Sequence, residues 1–185
     1  MEEDSPRIQL IRERFPSRLL EAHAVRGEET VLIRPEGVAE FFRFLKEKPG
    51  LDFDFLTDIT AVDYLGKKEP RFEVVYHLRS TQWNHRLRVK APVGGDNPEV
   101  DSLTPLWPGA DWLEREVWDM YGIRFRGHPN LKRILLYEEF KGHPLRKDYP
   151  VNQRQPLVPE RPLDGTFVDH RSDNKLAQLK QRWGR

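Results

Sequence analysis

Between Gly142 and Gly165 the chain carries five prolines, Pro144, Pro150, Pro156, Pro159 and Pro162, and few apolar runs. Proline has no backbone N–H and its ring clashes with the preceding helical turn, so it is disfavoured in a helix interior or a central strand. A stretch interrupted this often builds no long regular element of its own. It divides the chain into a body over residues 1–140 and an extended arm over residues 141–185. Charge changes at the same point. Residues 1–140 hold 21 basic and 25 acidic side chains, residues 141–185 ten and five. Composition alone also fits a disordered tail. Against that reading, Leu145, Tyr149, Val151, Leu157, Val158 and Phe167 occur mostly singly through the segment. This is the spacing of a strap that anchors one side chain at a time on a partner's surface, its ordering entropy met at assembly.

The body has the material for one core. Ten Phe, five Trp and five Tyr supply large apolar surface in a chain of 185 residues, a length that suits one domain with an appendage. A net charge of +1 gives no global field to recruit nucleic acid or anionic lipid. The absence of cysteine removes disulfides, thiolate nucleophiles, haem attachment and cysteine-ligated iron–sulfur clusters together. The six histidines form no compact zinc set. No stretch approaches the roughly 20 apolar residues that cross a bilayer. The start, Met-Glu-Glu-Asp, is acidic where a secretory signal is basic. We expect a soluble, cytoplasmic chain whose membrane association comes only through a partner.

Periodicity places the elements. Ile8, Leu10, Ile11, Phe15, Leu19 and Leu20 predict an opening helix interrupted near Pro16. Thr30 to Ile33 reads as a short β-branched strand. A helix starts at Pro35-Glu36, carries Val38, Phe41, Phe42 and Leu45 as an apolar stripe, and stops at Pro49-Gly50. A strand runs from about Phe53 to Val62, with its alternation broken near Thr57-Asp58. Phe72–Leu78 is the strongest strand. Gln82-Trp83-Asn84 turns into His85–Lys90, whose alternation predicts one wet face, and Pro92 to Asp96 reads as a loop. Ser102 or Thr104 caps a short turn. Asp111, with Glu114 three residues on, has capping-box spacing ahead of a helix. Leu113, Val117 and either Met120 or Tyr121 line that helix, and Gly122 ends it. Ile123–Phe125 is extended, followed by a Gly-His-Pro turn. Short connections favour antiparallel neighbours. The fold expected is α+β: a single domain with a mixed or largely antiparallel sheet packed against helices, followed by the extended proline-rich C-terminal arm.

The residues that attract a chemical reading have structural ones beside it. Glu114, Arg115, Glu116 and Asp119 concentrate charge on one helix, with Arg115 and Asp119 at pairing distance. Three carboxylates there without further ligands favour ion pairs or a charged contact with a partner over catalysis. His128 and His143 each sit in Gly-His-Pro, which favours turn histidines bonding local backbone. His77 and His85 are placed to face each other across the hairpin. Arg146-Lys147-Asp148-Tyr149 has no glycine-rich loop or following helix to make a phosphate site. Trp83, His85, Arg86, Arg88 and Lys90 mix an aromatic with charge on one hairpin, yet no RNA- or DNA-binding signature accompanies them. No nucleophile or nucleotide motif occurs.

Three stretches carry a resemblance. Glu114–Ile123, continuing through Gly127-His128-Pro129-Asn130-Leu131 and Lys132–Leu135, resembles the signature of the respiratory complex I 30 kDa subunit family, the C subunits of bacterial NADH-quinone oxidoreductase. Gly142–Pro150 is similar to that family's second conserved stretch, and Phe55–Tyr64 to its first strand region. The similarity spans about residues 30 to 150. It implies an α+β subunit of the peripheral arm with no flavin, no iron–sulfur cluster and no catalytic residue of its own. It further implies a C-terminal arm lying over the 49 kDa-type subunit, with neighbouring iron–sulfur subunits close by. The complex so implied passes electrons from NADH to quinone and couples this to ion translocation. The chain would lie peripherally on the cytoplasmic side of the bacterial membrane. Candidate interface residues are Glu114, Arg115, Glu116, Asp119, His128, His143, Arg146, Lys147, Asp148 and Tyr149. Two alternatives stay open: an equivalent subunit of a related membrane-bound hydrogenase or dehydrogenase, and a stand-alone nucleic-acid-binding module.

Overall fold

A computed structural model of the chain describes residues 5–157. Readings that fall on residues 1–4 and 158–185, Val158 and Phe167 of the strap among them, lie outside the described residues. Within them the order is α1 (Pro6–Arg14), β1 (Leu19–Val25), β2 (Glu28–Ile33), α2 (Val38–Glu47), β3 (Phe55–Asp63), β4 (Phe72–Arg79), β5 (Arg86–Val93), β6 (Glu99–Asp101), α3 (Ala110–Tyr121) and β7 (Arg124–Arg126). Five strands form one sheet in the order β1-β2-β5-β4-β3, and β6 pairs with β7. Within the large sheet β2 and β5 run parallel and the other neighbours antiparallel. This is the mixed sheet of an α+β domain that the element pattern implies.

The core lies between the helices and one face of this sheet. Val38, Phe41, Phe42 and Leu45 of α2 are fully buried, as their spacing predicts. Phe42 packs on Tyr76 of β4 with ring centroids 4.6 Å apart, and edge-on to Trp107 at 6.1 Å. Phe15, just beyond α1, meets Phe41 at 5.2 Å. Each such side chain contributes on the order of 2 kcal/mol through burial. Tyr76 points inward, so Glu73, Val75, His77 and Arg79 point to the opposite face. Leu87, Val89 and Ala91 of β5 are buried, which leaves Arg86, Arg88 and Lys90 on that same outward face.

Several boundaries differ from the sequence reading. The opening helix ends at Arg14, and Leu19 and Leu20 belong to β1 instead. Pro16 breaks the helix. The strand turns back through Arg26-Gly27, both at positive φ (54° and 79°), the twist a tight hairpin needs but not its usual Asn-Gly signature. α2 begins at Val38, because Gly37 takes a left-handed φ of 72°. A Cβ there would lie 2.8 Å from the Arg18 guanidinium. β5 continues through Val93, past the expected loop start at Pro92. β2 accompanies β5 only as far as Lys90, so Pro92 stands where β5 has one neighbour fewer, a place a strand accepts proline. The register shift between Leu56 and Asp58 is the irregularity that the broken alternation announces. His77 faces Arg88 rather than His85. His85 precedes the strand, with its Nε2 2.7 Å from the Leu51 carbonyl and its ring on Phe53.

Candidate functional site

The two ends of α3 organise the charged residues. At the first end the capping box is absent. Gly109 holds the N-cap position, Asp111 lies inside the first turn, and Glu114 turns inward. Its carboxyl is fully buried, accepting the Leu103 N–H at 2.6 Å and the Ser102 hydroxyl at 2.7 Å. Glu114 thus ties the 102–107 turn to the helix. Burial pushes its carboxyl up to about 7, against the two hydrogen bonds and with the help of nearby Asp111. A carboxyl raised on folding holds its proton better in the folded chain. Its contribution is therefore full below the unfolded value of 4.5 and is lost as pH rises towards 7. Glu114→Gln is expected to flatten the decline in stability between pH 4.5 and 7 by up to about 3 kcal/mol. Urea midpoints measured across that range check this, and parallel pH profiles for the two chains would refute it.

His128 fills the turn role expected of it. Its Nδ1 accepts the Asn130 N–H at 3.0 Å, and its Nε2 donates to the Asp111 carbonyl at 3.2 Å. This pins the 127–130 turn to the start of α3.

At the second end Asp119 is fully buried, and it does not pair with Arg115. Oδ1 meets the Arg133 guanidinium at 2.6 Å. Oδ2 accepts the N–H groups of Ile134, Leu135 and Leu136 at 3.1, 3.0 and 3.0 Å. Burial raises this carboxyl, but the three amides and Arg133 outweigh it and hold it below the usual carboxylate range. Arg115 instead donates to the carbonyls of Lys132 and Arg133 at 3.0 and 2.9 Å. Helical spacing proposes the i,i+4 pair; the 132–136 segment lying across the helix gives both side chains better partners. Glu116 is exposed.

A helix leaves its last four carbonyls without partners inside the helix. Here the Gly122 N–H takes Trp118 at 2.8 Å, with φ 74° at the glycine. Residues 143–146 take the other three. His143 Nδ1 donates to the Asp119 carbonyl at 3.0 Å, the Leu145 N–H to Met120 at 3.1 Å, and Arg146 Nε to Tyr121 at 2.5 Å. His143 therefore bonds a helix end 24 residues back, not its local backbone. A Cβ on Gly122 would lie 2.6 Å from both His143 and Arg146, so glycine here permits the close approach as well as the turn. The latch continues onto the β3–β4 hairpin. The Lys147 N–H donates to Asp63 at 2.8 Å, and Arg71 bridges Asp63 (2.7 Å) and Asp148 (2.8 Å). The Arg71 hydrogen bond holds Asp63 down at about 2, against its burial. Tyr149 stacks on Phe140, and its hydroxyl accepts from Gln155, whose side chain also bridges the backbone of Lys141. The chain packs as one compact unit as far as Gln155.

His143, Arg146, Lys147, Asp148 and Tyr149 thus converge with Asp119 on one latch, while Glu114 and His128 sit at the other end of α3. Asp63, Arg71 and Arg133 complete the latch; Arg133 falls within the Lys132–Leu135 stretch of the resemblance and Arg71 in none of its stretches. Asp63 lies in the first stretch of resemblance, but no spacing links it to Lys147, 84 residues away. Around the latch apolar side chains stay uncovered: Leu135, Tyr137 and Leu145 are 62, 38 and 49% exposed, and Trp112 in the first turn of α3 is 63% exposed. Among the described residues no group of three or more metal-ligating side chains occurs, and no helix is long and apolar enough to cross a membrane.

The family model for the respiratory-chain NADH dehydrogenase 30 kDa subunit matches residues 31–155, ending where the compact unit ends. The chain is 49% identical to the C subunit of NADH-quinone oxidoreductase from Citrifermentans bemidjiense over 151 residues, covering 82% of this chain and 92% of that one. It is 50% identical to the C subunit from Roseiflexus castenholzii over 141 residues, 76% and 80% of the two chains. Among solved structures, the trypsin-resistant 1–134 fragment of Nqo5 superposes with a TM-score of 0.58 at 34% identity, over 68% of this chain and 99% of the fragment. A chain of an archaeal membrane-bound sulfane sulfur reductase shares the fold at 22% identity, with a TM-score of 0.56 over 96% and 89%. The chain belongs to the respiratory-chain NADH dehydrogenase 30 kDa subunit family and, as a C-type member, works among the other subunits of NADH-quinone oxidoreductase.

Proposed function

We propose that the chain is a scaffold subunit of the peripheral arm, seating on the 49 kDa-type subunit and the neighbouring iron–sulfur subunits. In this reading it supports the quinone-reducing module without carrying electrons. It lies peripherally, on the cytoplasmic side of the membrane, and reaches the bilayer only through the assembled complex.

The observation that carries this reading is the latch. It fixes residues 143–149 to the end of α3 with hydrogen bonds and ion pairs, while leaving Leu135, Tyr137 and Leu145 uncovered beside it. Polar groups serve the chain's own fold, and apolar ones face outward, the composition of an interface core. The proposed interface residues divide accordingly. Glu114 and Asp119 act inside the chain and set the shape. Glu116, Lys147 and Asp148 are exposed, as are the apolar Trp112, Leu135, Tyr137 and Leu145. The arm that reaches the partner then begins after Gln155.

A chain ending at Gln155 should keep its circular dichroism spectrum and melt cooperatively. It should bring down at least about tenfold less of the other subunits from native membranes, a loss of about 1.4 kcal/mol of binding. Unchanged co-purification would overturn the strap.

A further inference from the structure

The sheet face turned away from the helices is charged, and at its hairpin end two guanidinium groups lack a carboxylate. Arg79 of β4 stands directly opposite Arg86 of β5, and His77 opposite Arg88. Phe55 of β3 is the neighbour of Arg79 on its other side. These side chains line a groove of about 430 Å³. Like charges directly opposite on neighbouring strands destabilise the pair. The acidic residues bordering the groove offer little relief. Glu28 is taken by Arg88 at 3.0 Å and Glu29 by Arg7 at 2.9 Å, and Asp58 faces His77. Arg79 reaches only the Asn84 side-chain oxygen, at 2.6 Å. The Arg86 side chain forms no hydrogen bond or ion pair among the described residues. Burial and the charge of Arg88 depress His77, so it adds no charge near neutral pH.

The groove is also rigid and partly apolar. The hairpin turn is tied back to the entry of β3 by the Thr81 N–H on Asp54 and the Trp83 indole N–H on Asp52, both at 2.8 Å. Phe55 and Trp83 are nevertheless 51 and 54% exposed. Arginines beside exposed aromatics are the composition of interface hot spots, and a planar guanidinium pair favours carboxylates held in bidentate geometry. Phosphates along a nucleic-acid strand would also meet Asp58 and Glu28 at the rim, whereas a peptide can space its charges to avoid them.

We infer that this end of the sheet is a second docking surface, separate from the arm, for an acidic segment of another subunit of the same complex. Its carboxylates go to Arg79 and Arg86, and one of its apolar side chains packs on Phe55. The inference rests on the function proposed above, and the test separates the two. The photo-crosslinking residue p-benzoylphenylalanine, an aromatic replacing an exposed aromatic, is placed at Phe55 in one chain and at Leu145 in another, and each complex is purified from native membranes. The Phe55 probe is expected to join a segment of another subunit rich in Asp and Glu. Arg79→Ala with Arg86→Ala should lower that product about tenfold and leave the Leu145 product unchanged. If the Leu145 probe labels a subunit while the Phe55 probe labels nothing, nucleic acid, this chain itself or a segment without carboxylates, the second surface is wrong and the first stands. A Phe55 product indifferent to both arginines refutes it as well. Loss of both products overturns the docking function and this surface together.

Discussion

Asp119→Ala is expected to destabilise the chain by about 3–5 kcal/mol, the cost of removing one partner from a buried, hydrogen-bonded ion pair. No solvent reaches the carboxylate, and four donors depend on it: Arg133 and the N–H groups of Ile134, Leu135 and Leu136. Alanine leaves all four without an acceptor and Arg133 without its countercharge. The damage spreads, because Arg133 also holds the carbonyls of Phe140 and Gly142 at 2.7 and 3.2 Å, and lies over the rings of Trp118 and Phe140. Asp119→Asn keeps an oxygen for the three amides but turns an amide NH₂ towards the guanidinium, so an intermediate loss is expected. Trypsin adds a local readout, since Arg133 and Lys141 should become cleavable before the sheet unfolds. There is a pH signature too. A carboxyl held below its usual range stabilises the fold above the unfolded value of 3.8, and that support is lost as pH falls through the folded value. The Asp119→Ala chain should therefore show a shallower decline below about pH 4 than the parent chain. A loss under about 1 kcal/mol would mean that the 133–142 segment is held by its apolar contacts instead.

Asp119 also marks where sequence reasoning stops. Its position on a helix is legible, because Leu113, Val117 and Met120 repeat at helical spacing and Gly122 supplies the stop. Its partner is not. Spacing offers Arg115 four residues away, whereas the fold brings Arg133 and three amides across the helix, and a buried carboxylate takes the site with the most donors. Glu114 repeats the lesson. Three residues after an aspartate it reads as half of a capping box, yet its place on the inward stripe carries it into the core, where the turn at Ser102-Leu103 supplies donors. Strict alternation, as in Arg86–Lys90, announces the wet face of a strand but not its full extent, since β5 runs on through Val93. β1 does not, since Leu19 and Leu20 continue an apolar pattern across Pro16 and the Arg26-Gly27 turn lacks its common signature. Proline spacing marks where regular structure ends but carries no information about which surface receives residues 143–149. That surface is assembled from Asp63, Arg71 and the end of α3, distant in sequence and adjacent only after folding.

A chain ending at Lys141 should be about 3–5 kcal/mol less stable than one ending at Gln155, the sum of several hydrogen bonds worth roughly 1 kcal/mol each and one partly buried ion pair. At this size that is a fall in melting temperature on the order of 10 °C. The shorter chain gives up the partners of three α3 carbonyls, the Lys147 N–H on Asp63, and Asp148 on Arg71. Arg146 also leaves the face of Phe72, where its guanidinium lies 5.3 Å from the ring centre. The freed carbonyls reach water instead of staying buried, which keeps the loss from being larger. Gly122→Ala isolates the latch from the rest. In the longer chain the new methyl meets both the left-handed φ of 74° and the side chains of His143 and Arg146, 2.6 Å away. In the shorter chain only the backbone strain of about 1 kcal/mol remains. The substitution should therefore cost clearly more in the longer chain, and the difference measures how tightly the segment is clamped. Equal costs in the two chains would mean that residues 143–149 do not rest on α3 in solution. A full difference would mean that residues 143–149 are ordered on the body before any partner arrives, so little entropy in that segment remains to be lost on assembly.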